Sequence, residues 1–275
     1  MSKLPFLNIG CGYQYNSSWT NIDFVSTGEG VIAHNLLKGI PFKNESFNVV
    51  YHSHVLEHFS KSDGLMLLKD CHRVLQPGGV LRIVVPDLEQ IARTYLQLLD
   101  EGLKNPKDTL VRENYNWILL EMYDQTVRNF SGGEMGNYLL QKELVNESFV
   151  YQRIGVEGRN FRNKYLKENS DYTNDKRTLK HVIKEILYSI KRRVKIKKKE
   201  SKLEEIGRFR LGGEIHQWMY DRYSLTNILQ QIGFEQILIN DAFSSHIKDW
   251  ANFELDGIDN IVRKPDSLFI EGIKK

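Results

Sequence analysis

The stretch LPFLNIGCGYQYNSSWTNIDF, Leu4 to Phe24, decides how the chain is read. An apolar run, PFLNIG, ends in the turn Gly10-Cys11-Gly12, and a second short run, TNIDF, carries Asp23 near its end. The pattern is that of a strand, a tight turn and a second strand. In an open α/β sheet, ligands bind beyond the carboxyl ends of the strands, where the strand order reverses. Glycines there let the backbone turn sharply and let a ligand approach closely. A carboxylate ending the neighbouring strand can accept both hydroxyls of a ribose. The same residues also suit a plain turn with a small buried cysteine and a solvated strand-end acid, so the rest of the chain must decide.

Outward from this stretch, VIAH (Val31 to His34) and FNVVYH (Phe47 to His52) read as third and fourth strands, the latter rich in β-branched and aromatic residues. Leu65, Leu67, Leu68, Cys71, Val74 and Leu75 recur at helical spacing from Ser62 to Leu75, and Pro77-Gly78-Gly79 ends that helix. VLRIVVP is a fifth strand stopped by Pro86. Strands alternating with helices or crossovers predict an α/β fold with a mostly parallel sheet. From Asp87 to about Gly213 no strand pattern occurs, and stretches such as LEQIARTYLQLLDEGL and NWILLEMYDQTVRNF predict a large helical insertion. SLTNILQQIGF is then a short helix closed by Gly233, and EQILIND and SLFIEGI are two strands expected to pair at the sheet edge. The expected organisation is a cofactor-binding half over 1–87, a helical insertion or lid over 88–213, and a return to the sheet over 214–275.

The 275 residues suit one large domain or a domain with an insertion, and 41% hydrophobic content supports a substantial core. Cys11 and Cys71 lack metal-ligand spacing and read as reduced thiols of a cytoplasmic protein. No apolar run approaches the roughly 18 residues of a membrane span, and the first strand starts too near Met1 for a signal peptide to be expected. Lys176 to Lys202 holds 12 Lys/Arg and two Glu, a local +10, which with a chain total of +3 leaves −7 elsewhere. Its apolar residues Val182, Ile183, Ile186, Leu187, Ile190 and Val194 fall at helical spacing. A peripheral contact with an anionic membrane and a solvated helical arm both fit this segment. Nucleic acid is disfavoured, because the run belongs to no nucleic-acid module.

A dinucleotide fingerprint is poorly met. The third glycine of G-x-G-x-x-G falls on Tyr15, and Asp23 comes only 13 positions after Gly10, against roughly 20 in dinucleotide folds. The nine residues between Gly12 and Ile22 leave little room for the helix whose N-terminus a pyrophosphate requires. A nucleoside without phosphates has no such need.

LNIGCG, NIDF, HNLLKGIPFKNESFNVVYHSHVLEHF and CHRVLQPGGVLRIVVPD, in that order, resemble the class I S-adenosylmethionine-dependent methyltransferases. The likeness is strongest to the "methyltransferase type 11" group with its His-x-Leu-Glu-His signature. It is close over residues 4 to 87 and looser from HQWMYDRYSLTNILQQIGF to the last strand. It implies a Rossmann-like fold with S-adenosylmethionine as cofactor. Gly10, Cys11 and Gly12 would form the glycine turn and Asp23 would bind ribose. Asn35 and Leu36 would face adenine, and Ser53 and His54 would line the methionine end. The group usually has acids where Asn8 and Asn35 stand. Asn keeps an acceptor but loses the charge, which suits adenine at Asn35 and weakens attraction for a cationic cofactor at Asn8.

Candidates for chemistry lie further along. His216, in GGEIHQWMYDRYSL, is a candidate general base because an ordinary imidazole accepts a proton near neutrality, and a structural histidine is the alternative. His58 is a second candidate. Trp218 and Tyr220 either wall a substrate cleft or fill core, and Asp221 suits a helix cap. Asp124, Gln125, Arg128 and Glu134, in EMYDQTVRNFSGGEMGNYL, either form a polar substrate pocket or a helix-surface ion pair. No metal is expected: in HSHVLEH a helix would turn Glu57 and His58 to different faces, and no third ligand set shows. The reaction implied by the resemblance is methyl transfer, with a small molecule or a hydroxyl of a sugar or cell-surface glycan as acceptor. A non-catalytic nucleoside-binding protein would fit Asn8 and Asn35. A nucleic-acid methyltransferase would use the basic segment, but the Asn/Asp-Pro-Pro-Tyr/Phe motif of many amino-directed enzymes is missing.

Overall fold

The computed structural model describes residues 5–174 and 201–275. Nearly all of the basic segment therefore lies outside the described residues, and with it the membrane reading. Seven strands form one sheet in the order β3-β2-β1-β4-β5-β9-β6. They are β1 (Phe6–Ile9), β2 (Thr20–Asp23), β3 (Val31–Ala33), β4 (Phe47–Ser53), β5 (Leu75–Pro86), β6 (Phe234–Asn240) and β9 (Ser267–Lys274), while β7 (Gly257–Ile258) and β8 (Ile261–Val262) make a separate ribbon. β1 to β5 pair in parallel, and β9 runs antiparallel between β5 and β6. Ile9 lies level with both Ile22 and His52, so β1, β2 and β4 end together. The strand order reverses between β1 and β4, and that is where a crevice opens in such sheets.

Central parallel strands are covered on both faces, which is why β1 and β5 read as continuous apolar runs. On one face, Leu7, Val50, Leu81 and Ile83 pack against α1 (Lys61–Val74), with Leu67, Leu68 and Cys71 inward, and against Leu225 and Leu229. Leu68 is fully buried there, so Leu68→Ala costs about 2–5 kcal/mol. Among the described residues no α-helix belongs to the apolar cluster on the other face of the β1–β4 region. The ten residues from Gly10 to Trp19 are turns, and Trp19, Tyr51, Val80 and Val84 instead meet Ile247, Trp250 and Leu255 from the segment between β6 and β9. Arg82 is buried in this layer, bonded to Asp256 (2.8 Å) and Glu271 (2.7 Å) with its guanidinium over Trp250.

The helices after β5 are α2 (Leu88–Lys104), α3 (Thr109–Val127), α4 (Gly133–Leu139), α5 (Glu147–Asn174, kinked at Gly155) and α6 (Lys202–Arg210). They carry small cores of their own, Ile91, Leu98 and Ile118 in one, Trp117, Leu139 and Val150 in another. α7 (Arg222–Ile232) begins at Asp221, which forms a capping box with Ser224, and ends at Gly233. Two boundaries differ from expectation. α1 stops at Val74, because Leu75 already pairs with Phe47, and β5 therefore runs through Pro77-Gly78-Gly79 to Pro86.

Candidate functional site

The glycine turn is tied to β2 by two backbone bonds, Gly10 N–H and Cys11 N–H to the Ile22 carbonyl (2.8 and 3.2 Å). Gly10 has φ 62°, and a Cβ there would lie 2.4 Å from Val55 Cγ2. Gly12 has φ 52°, yet a Cβ there would meet nothing within 4 Å. The first glycine is required by packing, and the second faces open space. That space is a cavity of about 370 Å³ lined by Asn8, Gly12, Ser53, His54, Arg263 and Lys264 among others. Asp23 Oδ2 accepts the Gly12 N–H at 2.8 Å, while Oδ1 has only a long contact (3.5 Å) with the Val25 N–H. Oδ1 keeps room to accept a ribose hydroxyl. Tyr13, Phe24 and Leu37, exposed apolar residues, follow the ends of β1, β2 and β3. Open space over Gly12, acceptor capacity at Asp23 and an apolar rim together fit a nucleoside. Asn35 caps the 3₁₀ turn Leu36–Lys38, its Oδ1 accepting the Leu37 N–H at 3.0 Å, and Leu36 is half-buried against the core. Burial, and next the Asp23 charge, push the Cys11 thiol up to about 11, so it stays protonated.

A second cavity of about 140 Å³ lies between the strand ends and the inserted helices. Its walls include His54, Ile91, Gln125, Met135, Lys264 and Asp266, so it meets the first cavity at His54 and Lys264. Asp266 Oδ1 is buried without a hydrogen-bond partner. Beside it, the buried Glu121 carboxylate is held by Arg153 Nη2 at 2.6 Å. The sequence reading missed Leu255, Arg263, Lys264 and Asp266. They come from a loop between β6 and β9 that only the tertiary fold brings to the strand ends.

Just past β4, His54 holds φ 53°, a left-handed conformation unusual for a histidine. Its Nε2 lies 2.9 Å from Ser267 Oγ and its Nδ1 lies 3.1 Å from Glu57 Oε1, an ion-pair distance off the line of a good hydrogen bond. Glu57 is wholly buried, and neither of its oxygens has a hydrogen bond. Burial alone would raise its carboxyl; the His54 ring, with His216 and His58 behind it, outweighs burial and holds it down at about 2. The expectation that Glu57 and His58 face apart is overturned. Leu56–His58 is a 3₁₀ turn, not an α-helix, and Glu57, His58 and His216 each bring one ligand atom within 4.8 Å of the others.

The other predicted residues are dispersed. His216 is buried, its Nδ1 unpartnered, and burial drives its ring down to about 3 against the pull of Glu57. A ring so desolvated has lost the near-neutral affinity for protons on which its assignment as base rested. Tyr220 is buried in the main core, so it is not a cleft wall, whereas Trp218 is 40% exposed beneath Lys61. Asp124 Oδ1 accepts the Glu134 N–H at 2.7 Å, and Arg128 reaches the Glu214 carbonyl at 3.2 Å. Both brace a turn. Glu134 lines a separate, outer cavity with Glu113 and Asn137. Of that group Gln125 alone reaches the cavity beside His54.

A strand order of 3-2-1-4-5 closed by an antiparallel strand, with a cavity at the β1/β4 switch, is the Rossmann-like methyltransferase fold that the sequence resemblance implies. Residues 7–83 match the family model described as "Methyltransferase domain", the domain type that carries S-adenosylmethionine-dependent methyl transfer. Among solved structures, a SAM-dependent methyltransferase from Thermotoga maritima, described as a possible histamine N-methyltransferase, aligns at 13% identity over 100% of this chain and 84% of its own, with a TM-score of 0.41. A SAM-dependent methyltransferase from Archaeoglobus fulgidus aligns at 12% over 99% and 86%, with a TM-score of 0.39. The CurJ carbon methyltransferase aligns at 9% over 100% and 49%, with a TM-score of 0.38. Among curated proteins nothing matches the chain. No helix among the described residues is long and apolar enough to cross a membrane.

Proposed function

We propose that the chain methylates a hydroxyl of a small, polar, sugar-like acceptor held between the sheet and the helices inserted after β5. The observation that carries this reading is the meeting of two cavities at His54 and Lys264, one at the glycine turn and one walled by the insertion. S-adenosylmethionine supplies a methyl group on a positively charged sulfur. Asp23 would hold its ribose and the Gly10–Gly12 turn would admit it closely. Arg263 and Lys264 offer positive charge to a carboxylate in the same cavity. Gln125 and the unpartnered Asp266 Oδ1 suit an acceptor rich in hydroxyls, and Ile91 and Met135 suit its apolar face. Little is then asked of the protein beyond alignment, exclusion of water and removal of one proton.

His54 is the group we assign to that proton. The Glu57 carboxylate at Nδ1 favours the tautomer with hydrogen there, which leaves the Nε2 lone pair facing Ser267 and the cavities. A cytoplasmic setting belongs to the same reading, supported by Cys11 and Cys71, both buried free thiols. The test is a labelled-methyl assay against polyhydroxylated sugars, amines and RNA. Label in an O-methyl sugar, reduced roughly 10²–10⁴-fold by His54→Gln with little loss of cofactor affinity, is the expected result. Label confined to amines or RNA would overturn the acceptor class. A rate within threefold of wild type would remove His54 as the base.

A further inference from the structure

We propose that Glu57, His58 and His216 bind a divalent transition-metal ion of the Zn²⁺ or Mn²⁺ kind. The site stands on four observations. One ligand atom from each residue lies within 4.8 Å of the other two. Both oxygens of Glu57, a fully buried carboxylate, lack a hydrogen bond. Desolvating a carboxylate that far is costly without a cation or several donors, and the His54 ring at 3.1 Å reaches Oε1 off the line of a good bond. Nδ1 of His216, itself 4% exposed, is likewise buried and unpartnered. Finally, His58 Nδ1 sits 3.1 Å from the Ile215 carbonyl, which can only accept, so Nδ1 donates there and the neutral ring has its lone pair on Nε2. A histidine whose second nitrogen is fixed by a backbone carbonyl has the preparation commonly seen in metal ligands.

Two imidazoles and one carboxylate select a borderline ion over Mg²⁺ or Ca²⁺, which prefer all-oxygen shells. Ligand atoms bound at about 2.0–2.2 Å from one ion lie roughly 3–3.5 Å apart, so the side chains must close by about an ångström. The rings of His58 and His216 are already in edge contact at 4.9 Å between centroids, and the two segments that carry them are tied by Gln217 N–H to the Glu57 carbonyl at 2.7 Å. Oε1 of Glu57 would stay on His54, leaving Oε2 for the ion. Three protein ligands leave a coordination position open. Use of that position to hold an acceptor oxygen rests on the methyl-transfer reading; binding of the ion does not.

The experiment uses the full chain, stripped with chelator and titrated with Zn²⁺ and with Mn²⁺ in the absence of S-adenosylmethionine. One equivalent should bind, and Glu57→Gln, His58→Ala and His216→Ala should each weaken binding at least tenfold, while His72→Ala, a histidine on α1, should not. X-ray absorption on the Zn²⁺-loaded wild type should show two imidazoles in the first shell, a readout that holds even if a variant fails to fold. Absence of stoichiometric binding, an all-oxygen shell, or equal loss in His72→Ala would overturn the site. None of these outcomes bears on methyl transfer itself, which the labelled assay tests separately.

Discussion

Replacing Asp23 by Asn separates the ligand role of this carboxylate from its structural one. Oδ2 already accepts the Gly12 N–H at 2.8 Å, and an asparagine oxygen can keep that bond. Oδ1, with only the 3.5 Å contact to Val25, is the atom left for a ribose hydroxyl, and an amide NH₂ in its place cannot accept. A hydrogen bond to a charged group contributes about 1.5–3 kcal/mol. The affinity for S-adenosylhomocysteine should therefore fall roughly ten- to hundredfold. Because the glycine turn keeps its bonds to Ile22, the ligand-free melting temperature should hardly move. Isothermal titration calorimetry at pH 7 reads the affinity, and the shrinking ligand-induced rise in Tm reads it independently. A folded Asp23→Asn variant that binds within threefold of wild type would refute the assignment of Asp23 to the ribose.

Three further outcomes follow from the same geometry. Gly10→Ala should destabilise the protein by about 2–5 kcal/mol, since it combines a left-handed φ with a collision on Val55, whereas Gly12→Ala should cost only about 1–2 kcal/mol and mainly impair nucleoside binding; denaturant melts beside calorimetry compare them. His216 has a folded value of about 3 against an ordinary 6.5, so the unfolded chain takes up the proton first. Its contribution is complete above pH 6.5 and is lost as pH falls toward 3, at up to about 1.4 kcal/mol per pH unit, and urea midpoints for His216→Gln should fall less steeply than wild type across that window. Arg82→Met leaves Asp256 and Glu271 buried beside a neutral chain and should cost about 3–5 kcal/mol by urea denaturation, so a loss under 1 kcal/mol would contradict the buried ion-pair account.

The legible parts of this chain were those encoded over short distances. The β1 to β5 pattern, the glycine turn and Asp23 lie within one register of neighbouring strands, so an apolar run with a turn at its end reveals them. Asp221 was readable as a cap for the same reason. What escaped depends on contacts between distant segments. Nothing local marks Lys264 or Asp266 as neighbours of Gln125, which lies far away in sequence on α3. Assuming a helix at Glu57 misplaced its carboxylate, because a 3₁₀ turn rotates successive side chains differently. Tyr220 and Trp218 stand two residues apart with similar aromatic character, and only packing sends one into the core and leaves the other at the surface.

The central claim is that the crevice at the ends of β1 and β4 holds a sulfur nucleoside whose reactive end meets an acceptor cavity walled by the inserted helices. A crystal structure of the chain with S-adenosylhomocysteine tests it most directly. The account predicts the ribose on Asp23, the methionyl part over Gly12, and the sulfur turned toward His54 and the cavity of Gln125, Lys264 and Asp266. A nucleoside bound elsewhere, or one whose sulfur faces away from that cavity, would contradict it.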